Sequence, residues 1–386
     1  MDVGAITQPG FVWCGIALAA FAMIYGVIAY IAVSIRIRSL RFTPRDPPPV
    51  TILKPLCGAD EETYECLRSF CDQAYPRFQI VFGVSDSTDP ALAVVERLRT
   101  EFPRVEFAVA VDRRQHGSSR KVSNLINMMP LARHEYLIVS DSDVRVKPDY
   151  LAKVAGPLLD GGVGIVTCAY RGRPRRGLWS LLGSMFINEW FMPSVRVAAM
   201  AGSRSFAFGV TIAIRRQVLD RIGGFAVIAN QLADDYRLGE LTRGLGLRTV
   251  LSEVVVETSV SERGFGELVR HELRWLRTIR ALRPMGYAFC FITFGMPVAG
   301  LGVLLAGGAA AAVAMLCISA LTRVLLHMSL RRPGSSPLQI ALLPIRDSLS
   351  FGLWVWSFFT RSVQWREERY RVGRDGSVHL VEDLTP

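Results

Sequence analysis

Two carboxylates delivered together at a strand end, Asp141-Ser142-Asp143 after the apolar run Tyr136-Leu137-Ile138-Val139-Ser140, are the side chains in this sequence best placed to do chemistry. Such a pair offers hard oxygen ligands to a divalent cation, and chemistry on a phosphorylated substrate is the first expectation. D-x-D alone also occurs as a solvated strand end, so its weight comes from company. Asp234-Asp235 follows about ninety residues later, and His271-Glu272-Leu273-Arg274-Trp275 after that. His271, Arg274 and Trp275 stand at i, i+3 and i+4, so a helix presents them on one face. The acidic pair precedes Tyr236-Arg237-Leu238, a position that the helix dipole also favours for structural reasons alone.

The elements that must position these groups are readable up to the D-x-D. Val50 to Pro55 reads as a buried strand, Glu62 to Asp72 as a helix, Gln79 to Val84 as a strand ending at Ser85-Asp86, and Ala91 to Phe102 as a helix. Val105 to Val111 and Tyr136 to Ser140 are further strands. Short apolar strands alternating with helices predict an α/β fold, a mostly parallel sheet covered on both faces. Ligands of such sheets bind beyond the carboxyl ends of the strands. Lys54, Asp86 and Asp141 all fall at those ends. Asp86 also fits a turn aspartate in Ser-Asp-Ser-Thr-Asp-Pro.

A hydrophobic content of 50% and a mean hydropathy of +0.28 over 386 residues exceed what an ordinary soluble protein carries, and predict segments in lipid. Phe11 to Ile35 is an uninterrupted apolar run without a cleavage pattern, read as an uncleaved anchor. Arg36, Arg38, Arg41 and Arg45 follow it directly, which puts the N-terminus outside and the residues beyond in the cytoplasm. Met285 to Leu321 reads as a two-helix hairpin bent at Gly307-Gly308. Leu338 to Thr360 is interrupted by Pro344, Arg346 and Asp347 and reads as a broken, interfacial or re-entrant segment before an Arg-rich tail carrying Arg361, Arg366, Arg369, Arg371 and Arg374. The net charge of +11 crowds beside these segments, with no nucleic-acid module to use it, so anionic headgroups and phosphorylated substrate are the expected partners rather than nucleic acid. Seven cysteines without a C-x-x-C pair point to reduced thiols.

Leu53-Lys54-Pro55-Leu56, Val84-Ser85-Asp86 with Asp89-Pro90, Lys121-Val122-Ser123-Asn124-Leu125, Asp141-Ser142-Asp143, Ala233-Asp234-Asp235-Tyr236 and Leu273-Arg274-Trp275 occur in an order and spacing that resembles the ceramide glucosyltransferases, a group that includes bacterial hopanoid-biosynthesis glycosyltransferases. The resemblance covers roughly residues 50 to 285. It implies a GT-A (Rossmann-like) fold between N-terminal and C-terminal membrane helices, a UDP-sugar donor, inversion at the sugar carbon and a membrane lipid acceptor. It further implies donor contacts from Lys54, Asp86, Lys121, Asp141, His271, Arg274 and Trp275, a Mg²⁺ or Mn²⁺ ion on Asp141 and Asp143, and Asp235 as general base. His271 departs from the Gln or Arg usual in that motif, and some ceramide glucosyltransferases carry glycine where this chain has Asp143.

The expected organisation is an anchor over 1–42, a GT-A catalytic domain over 43–264, an amphipathic interfacial helix over 265–284 and a C-terminal membrane region with basic tail over 285–386. That helix places Phe265, Leu268, Trp275, Ile279 and Leu282 on its apolar side. The expected location is a bacterial inner membrane, with several crossings and a cytoplasmic catalytic domain. The acceptors in competition are a hopanoid polyol receiving N-acetylglucosamine, favoured narrowly, and ceramide receiving glucose. A processive polysaccharide synthase shares these motifs and needs more crossings; a non-catalytic lipid or nucleotide-sugar binding protein does not need every charged position filled.

Overall fold

A computed structural model describes residues 9–35, 47–331 and 337–359, together with the backbone of three short strands at Ser362–Trp365, Glu368–Val372 and Val378–Leu380. Arg36, Arg38, Arg41 and Arg45, on which the orientation expectation rests, lie outside the described residues, as do Arg361, Arg366 and Arg374 of the tail. The chain divides into two compact units, one formed by Ile37–Arg173, Ser203–Ser259 and Gly376–Pro386, the other by Met1–Arg36, Pro174–Gly202 and Val260–Asp375.

The first unit is built on an eight-stranded sheet. Its strands are β1 (Val50–Pro55), β2 (Phe78–Val84), β3 (Glu106–Val111), β4 (Tyr136–Val139), β5 (Val144–Arg145), β6 (Val163–Pro174), β7 (Ile212–Arg215) and β8 (Arg248–Val260), in the order β3-β2-β1-β4-β7-β6-β8-β5. β3, β2, β1 and β4 pair in parallel, Val50 facing Phe78 on one side and Tyr136 on the other. β7 runs antiparallel to β4 and to β6, and the short β5 antiparallel to β8, so a largely parallel sheet carries two reversed strands. β1 is buried along nearly its whole length, as parallel strands between helices are, whereas β8, whose outer neighbour is the two-residue β5, alternates between buried and more exposed positions. The chain leaves β1 towards β2 on one side and returns to β4 on the other, which opens a crevice at their carboxyl ends.

One helix fixes that crevice. Ser119 caps Arg120–Met128 by accepting a hydrogen bond from the Val122 N–H, and the helix lies directly on β2. Asn124 Nδ2 donates to the Gly83 carbonyl at 2.7 Å. A Cβ on Gly83 would stand 2.2 Å from Asn124 Oδ1 and 2.4 Å from Met128 Sδ, so glycine is what permits the approach.

The second unit is helical. Pro9–Ser34 and Ala310–Leu330 are each long and apolar enough to cross a membrane, and Pro284–Thr293 with Gly295–Leu305 forms a pair bent by 77°. Among the described residues these make two candidate spans, or three if the bent pair is one. Gly15 and Gly302 let the Pro9–Ser34 and Gly295–Leu305 helices touch backbone to backbone; a Cβ on Gly15 would meet the Gly302 carbonyl at 2.5 Å. The expected hairpin turns at Gly307 and Gly308, with φ of +62° and +78°, but its first arm is broken at Phe294 and its second runs on to Leu330. Leu338–Ser357 is one continuous helix through Pro344. Arg346 and Asp347 do not interrupt it, because each has an ion partner, Glu272 and Arg323 respectively. The Phe265–Leu282 helix buries Leu268, Val269, Glu272, Leu273 and Leu276 while Phe265 is half exposed, so the buried stripe is rotated from the expected one towards the residues around Glu272.

Candidate active site

Six of the residues with chemical promise stand at the carboxyl ends of β1 and β4 and at the start of two helices in the sheet unit. Lys121, in the first turn of Arg120–Met128, places its ammonium 2.5 Å from Asp141 Oδ1 and 3.9 Å from Asp234 Oδ2. Burial alone would lower the pKa of this lysine, but Asp141, Asp234 and Asp235 outweigh it and hold the ammonium charged well above its ordinary range. Lys121 therefore ties the D-x-D to the acidic pair across more than ninety residues of sequence.

Asp235 opens the Asp234–Gly244 helix. Its Oδ2 accepts the Gly209 N–H at 2.8 Å and its Oδ1 the N–H of Tyr236 at 2.7 Å. Burial, then the neighbouring Asp234 carboxylate, pushes its pKa up to about 6 against the pull of Lys121. A carboxylate with that pKa is largely ionised at neutral pH yet more basic than an ordinary aspartate, which suits a proton acceptor. Lys121, Asp234 and Asp235 edge a hollow of about 270 Å³, counting its open mouth, whose floor is Leu125, Val139 and Ile212.

Asp143 accepts a hydrogen bond from Thr258 Oγ1 on β8 at 2.8 Å. Burial and the nearby Asp141 carboxylate raise its pKa. Two carboxylates crowded in this way suit a hard divalent cation, whose charge would relieve their repulsion. Among the described residues no third acidic, His or Cys ligand joins them.

Lys54, at the end of β1, is wholly buried. Its ammonium donates to the Asp141 carbonyl at 2.5 Å and sits 3.6 Å from the Phe70 ring centroid, and burial pushes its pKa down to about 7. Asp86 follows β2 and serves two partners. One oxygen accepts from the N–H and hydroxyl of Thr88, closing a local turn, and the other pairs with Arg113 at 2.5 Å; the Thr88 hydrogen bonds hold its carboxyl below the usual range.

His271, Arg274 and Trp275 belong to the helical unit, on Phe265–Leu282. His271 Nδ1 donates to Glu262 Oε1 at 2.5 Å, and its ring meets Trp275 edge to face with centroids 5.3 Å apart. Trp275 also packs against Phe186 and Phe191. Glu262, buried and holding His271, escaped the sequence reading. It lies in the loop before the helix, nine residues from its partner, where no periodicity links them. Thr258 and Arg113 escaped for the same reason. All seven cysteines are free thiols.

The family model described as glycosyl transferase family 21 matches residues 14–378. Ceramide glucosyltransferase 3 of Caenorhabditis elegans is 23% identical over 240 residues, covering 61% of this chain and 52% of that protein. The ceramide glucosyltransferase of Komagataella phaffii is 33% identical over 120 residues, 29% of this chain and 24% of its own. The chain spans about half the length of the first two curated relatives it matches. Among solved structures, a mannosyltransferase from Pyrobaculum calidifontis, in complex with GDP-Man and Mn²⁺, aligns with a TM-score of 0.53 and 21% identity over 90% of this chain and 95% of that one, which identifies the fold as GT-A.

Proposed function

Because the chain belongs to glycosyl transferase family 21, we propose that it transfers one sugar from a UDP-sugar to a hydroxyl of a membrane lipid, with inversion at the anomeric carbon. The observation that carries this reading is Asp235, a carboxylate with its pKa raised to about 6 at the edge of a hollow that it shares with Lys121, the ion partner of Asp141. In the proposed reaction Asp235 takes the proton of the acceptor hydroxyl as the oxygen attacks the anomeric carbon. Its two backbone hydrogen bonds fix its direction, and position counts for more than basicity in such a step. Asp141 and Asp143 would hold Mg²⁺ or Mn²⁺, which supplies charge neutralisation to the departing diphosphate. Lys54 acts through the Asp141 carbonyl, keeping the D-x-D turn in place. Asp86 and Arg113 offer an acceptor and a donor to the nucleoside. The motif resemblance assigns Arg274 to the diphosphate; within the helical unit Glu262 holds His271 beside Trp275.

The names of the curated relatives support ceramide as acceptor and glucose as sugar; the motif resemblance also supports a hopanoid polyol with N-acetylglucosamine. Purified protein incubated with radiolabelled UDP-glucose or UDP-N-acetylglucosamine, and with ceramide or a total bacterial lipid extract, separates the two pairs by the labelled lipid formed. Label recovered only as free sugar, or as a long polymer, refutes the reading. The proposed location is a cell membrane with the sheet unit on the cytoplasmic side, where UDP-sugars are made.

A further inference from the structure

The helical unit holds a cavity that the proposed transfer reaction does not use. It takes in about 620 Å³ only when its open mouth is counted. Five segments of the chain line it, contributing Tyr25, Glu189, Phe294, Ser319 with Arg323, and Arg346 with Asp347. Ionisable groups set among helices of this apolarity are costly and mark functional sites more often than structural ones.

The open valences of these groups define what the cavity accepts. Arg323 takes both acids of the lining: its Nε and Nη2 donate to Asp347, and its Nη1 donates to Glu189 at 2.8 Å. The second Glu189 oxygen accepts from His327 Nδ1 at 2.9 Å. Arg346 is different. Its side chain is 1% exposed, and its Nη2 serves Glu272 and Ser350, but its Nε–H and Nη1–H have no acceptor among the described residues. The Ser319 hydroxyl, also buried, has no partner either. Unmet buried donors of this kind are costly, and more so on a charged group. The cavity therefore presents hydrogen-bond donors without acceptors. Its lining carries two guanidinium groups and two carboxylates, and Arg346 is already neutralised by Glu272, so no net positive charge calls for an anion.

We propose that this cavity binds a neutral membrane lipid, gripping a carbonyl or hydroxyl oxygen with Arg346 and Ser319 while the lipid's apolar portion lies along the aliphatic and aromatic wall between Ala22 and Phe294. Lipids of two sources carry that chemistry, the acceptor of the transfer reaction and a resident neutral lipid of the bilayer.

The test uses the full-length protein in phosphatidylcholine nanodiscs with a photoactivatable ceramide, which offers an amide carbonyl and hydroxyls, and a photoactivatable phosphatidylglycerol as the anionic comparison. Cross-linked peptides are mapped by mass spectrometry. The ceramide probe is expected on the Pro9–Ser34, Ala310–Leu330 and Leu338–Ser357 helices, at least fivefold over the anionic probe. Ser319→Leu fills the cavity, and Arg346→Lys keeps the charge opposite Glu272 while removing the planar donors; each is expected to cut labelling about tenfold. Ser319→Ala, the variant with the least demand on folding, is expected to cut it a few-fold, with thermal unfolding unchanged. Labelling at the wild-type level in Ser319→Ala, or equal labelling by the two probes, overturns the assignment. Acceptor KM in Ser319→Ala distinguishes the sources: a several-fold rise with unchanged donor KM identifies the acceptor, and lost labelling with unchanged acceptor KM identifies a resident lipid. Labelling is read without turnover, so failure of the proposed transfer reaction leaves this test intact.

Discussion

Asp235→Asn separates what this carboxylate does for chemistry from what it costs the fold. The folded-state pKa of about 6 against an ordinary 3.8 is a gap of roughly two units, or about 3 kcal/mol between the protonated and ionised forms. The sign follows from the direction. A carboxyl whose pKa is raised in the folded state favours folding fully only below its unfolded pKa, and that contribution is lost as the pH rises through about 6. At pH 8 the ionised Asp235 therefore destabilises the sheet unit by about 3 kcal/mol, and at pH 5 by only about half of that. Asparagine removes the charge but has one acceptor oxygen for two N–H donors, Gly209 and Tyr236, so it forfeits one hydrogen bond worth about 1 kcal/mol. The variant is expected to be more stable than wild type by about 2 kcal/mol at pH 8, a rise in Tm of several degrees for a unit of this size. The advantage shrinks by about 1.5 kcal/mol at pH 5. Transfer is expected to fall by 10²–10⁴-fold, with UDP-sugar affinity within several-fold of wild type. In the wild type, kcat/KM is expected to drop about tenfold per pH unit below 6. Thermal unfolding at the two pH values, beside a transfer assay, checks both halves. A variant that turns over normally, or whose stability difference from wild type does not move with pH, refutes the reasoning.

Asp141→Ala combined with Asp143→Ala is expected to abolish metal-dependent donor binding; equal UDP affinity with and without Mn²⁺ in the wild type, by calorimetry, refutes the metal assignment. Gly83→Ala drives a Cβ into Asn124 and Met128 and is expected to destabilise the sheet unit by about 1–3 kcal/mol, measured by chemical unfolding. Glu262→Gln keeps the shape but not the charge beside His271, and is expected to lower kcat about tenfold with donor KM little changed; a loss confined to Tm marks the contact as structural only. A cysteine at the exposed Ser87, in a background without the seven native cysteines, is expected to resist an impermeant thiol reagent in intact cells and to react after permeabilisation. Labelling in intact cells overturns the cytoplasmic orientation.

How much of this was legible in the sequence depended on whether a residue's partner was near it in the chain. β1 to β4 could be read because each is a short, mostly apolar run near a helix, and Asp86 and Asp141 could be placed because strand ends are local features. β6 and β8 went unread. β8 alternates, yet nothing in a single sequence says that it pairs with the two-residue β5 or that β7 lies against β4. The helix at Phe265–Leu282 was recognised and its buried stripe misjudged, because Glu272 looked polar and outward until Arg346, seventy-four residues on, turned it inward. For the same reason Arg346 and Asp347 read as breaks in the last helix.

Both units rely on a cation shared between carboxylates that the sequence keeps far apart. Lys121 stands between Asp141 and Asp234, and Arg323 between Asp347 and Glu189. Removing one member of a buried pair, as in the Arg323 set, leaves the other charge unmatched and typically costs about 3–5 kcal/mol; the Lys121 set is partly exposed and its loss costs less. Alanine at Lys121 would therefore free Asp141 and Asp234 to repel each other and disturb donor site and base together, whatever Lys121 does during turnover. The same holds for Arg323 among the helices. Roles at these positions have to be assigned with substitutions that keep the charge or the shape, such as Lys121→Arg and Asp234→Asn, and with readouts that separate kcat, KM and Tm. A loss of activity that follows Tm belongs to the ion pair, and a loss of kcat at unchanged Tm belongs to the reaction.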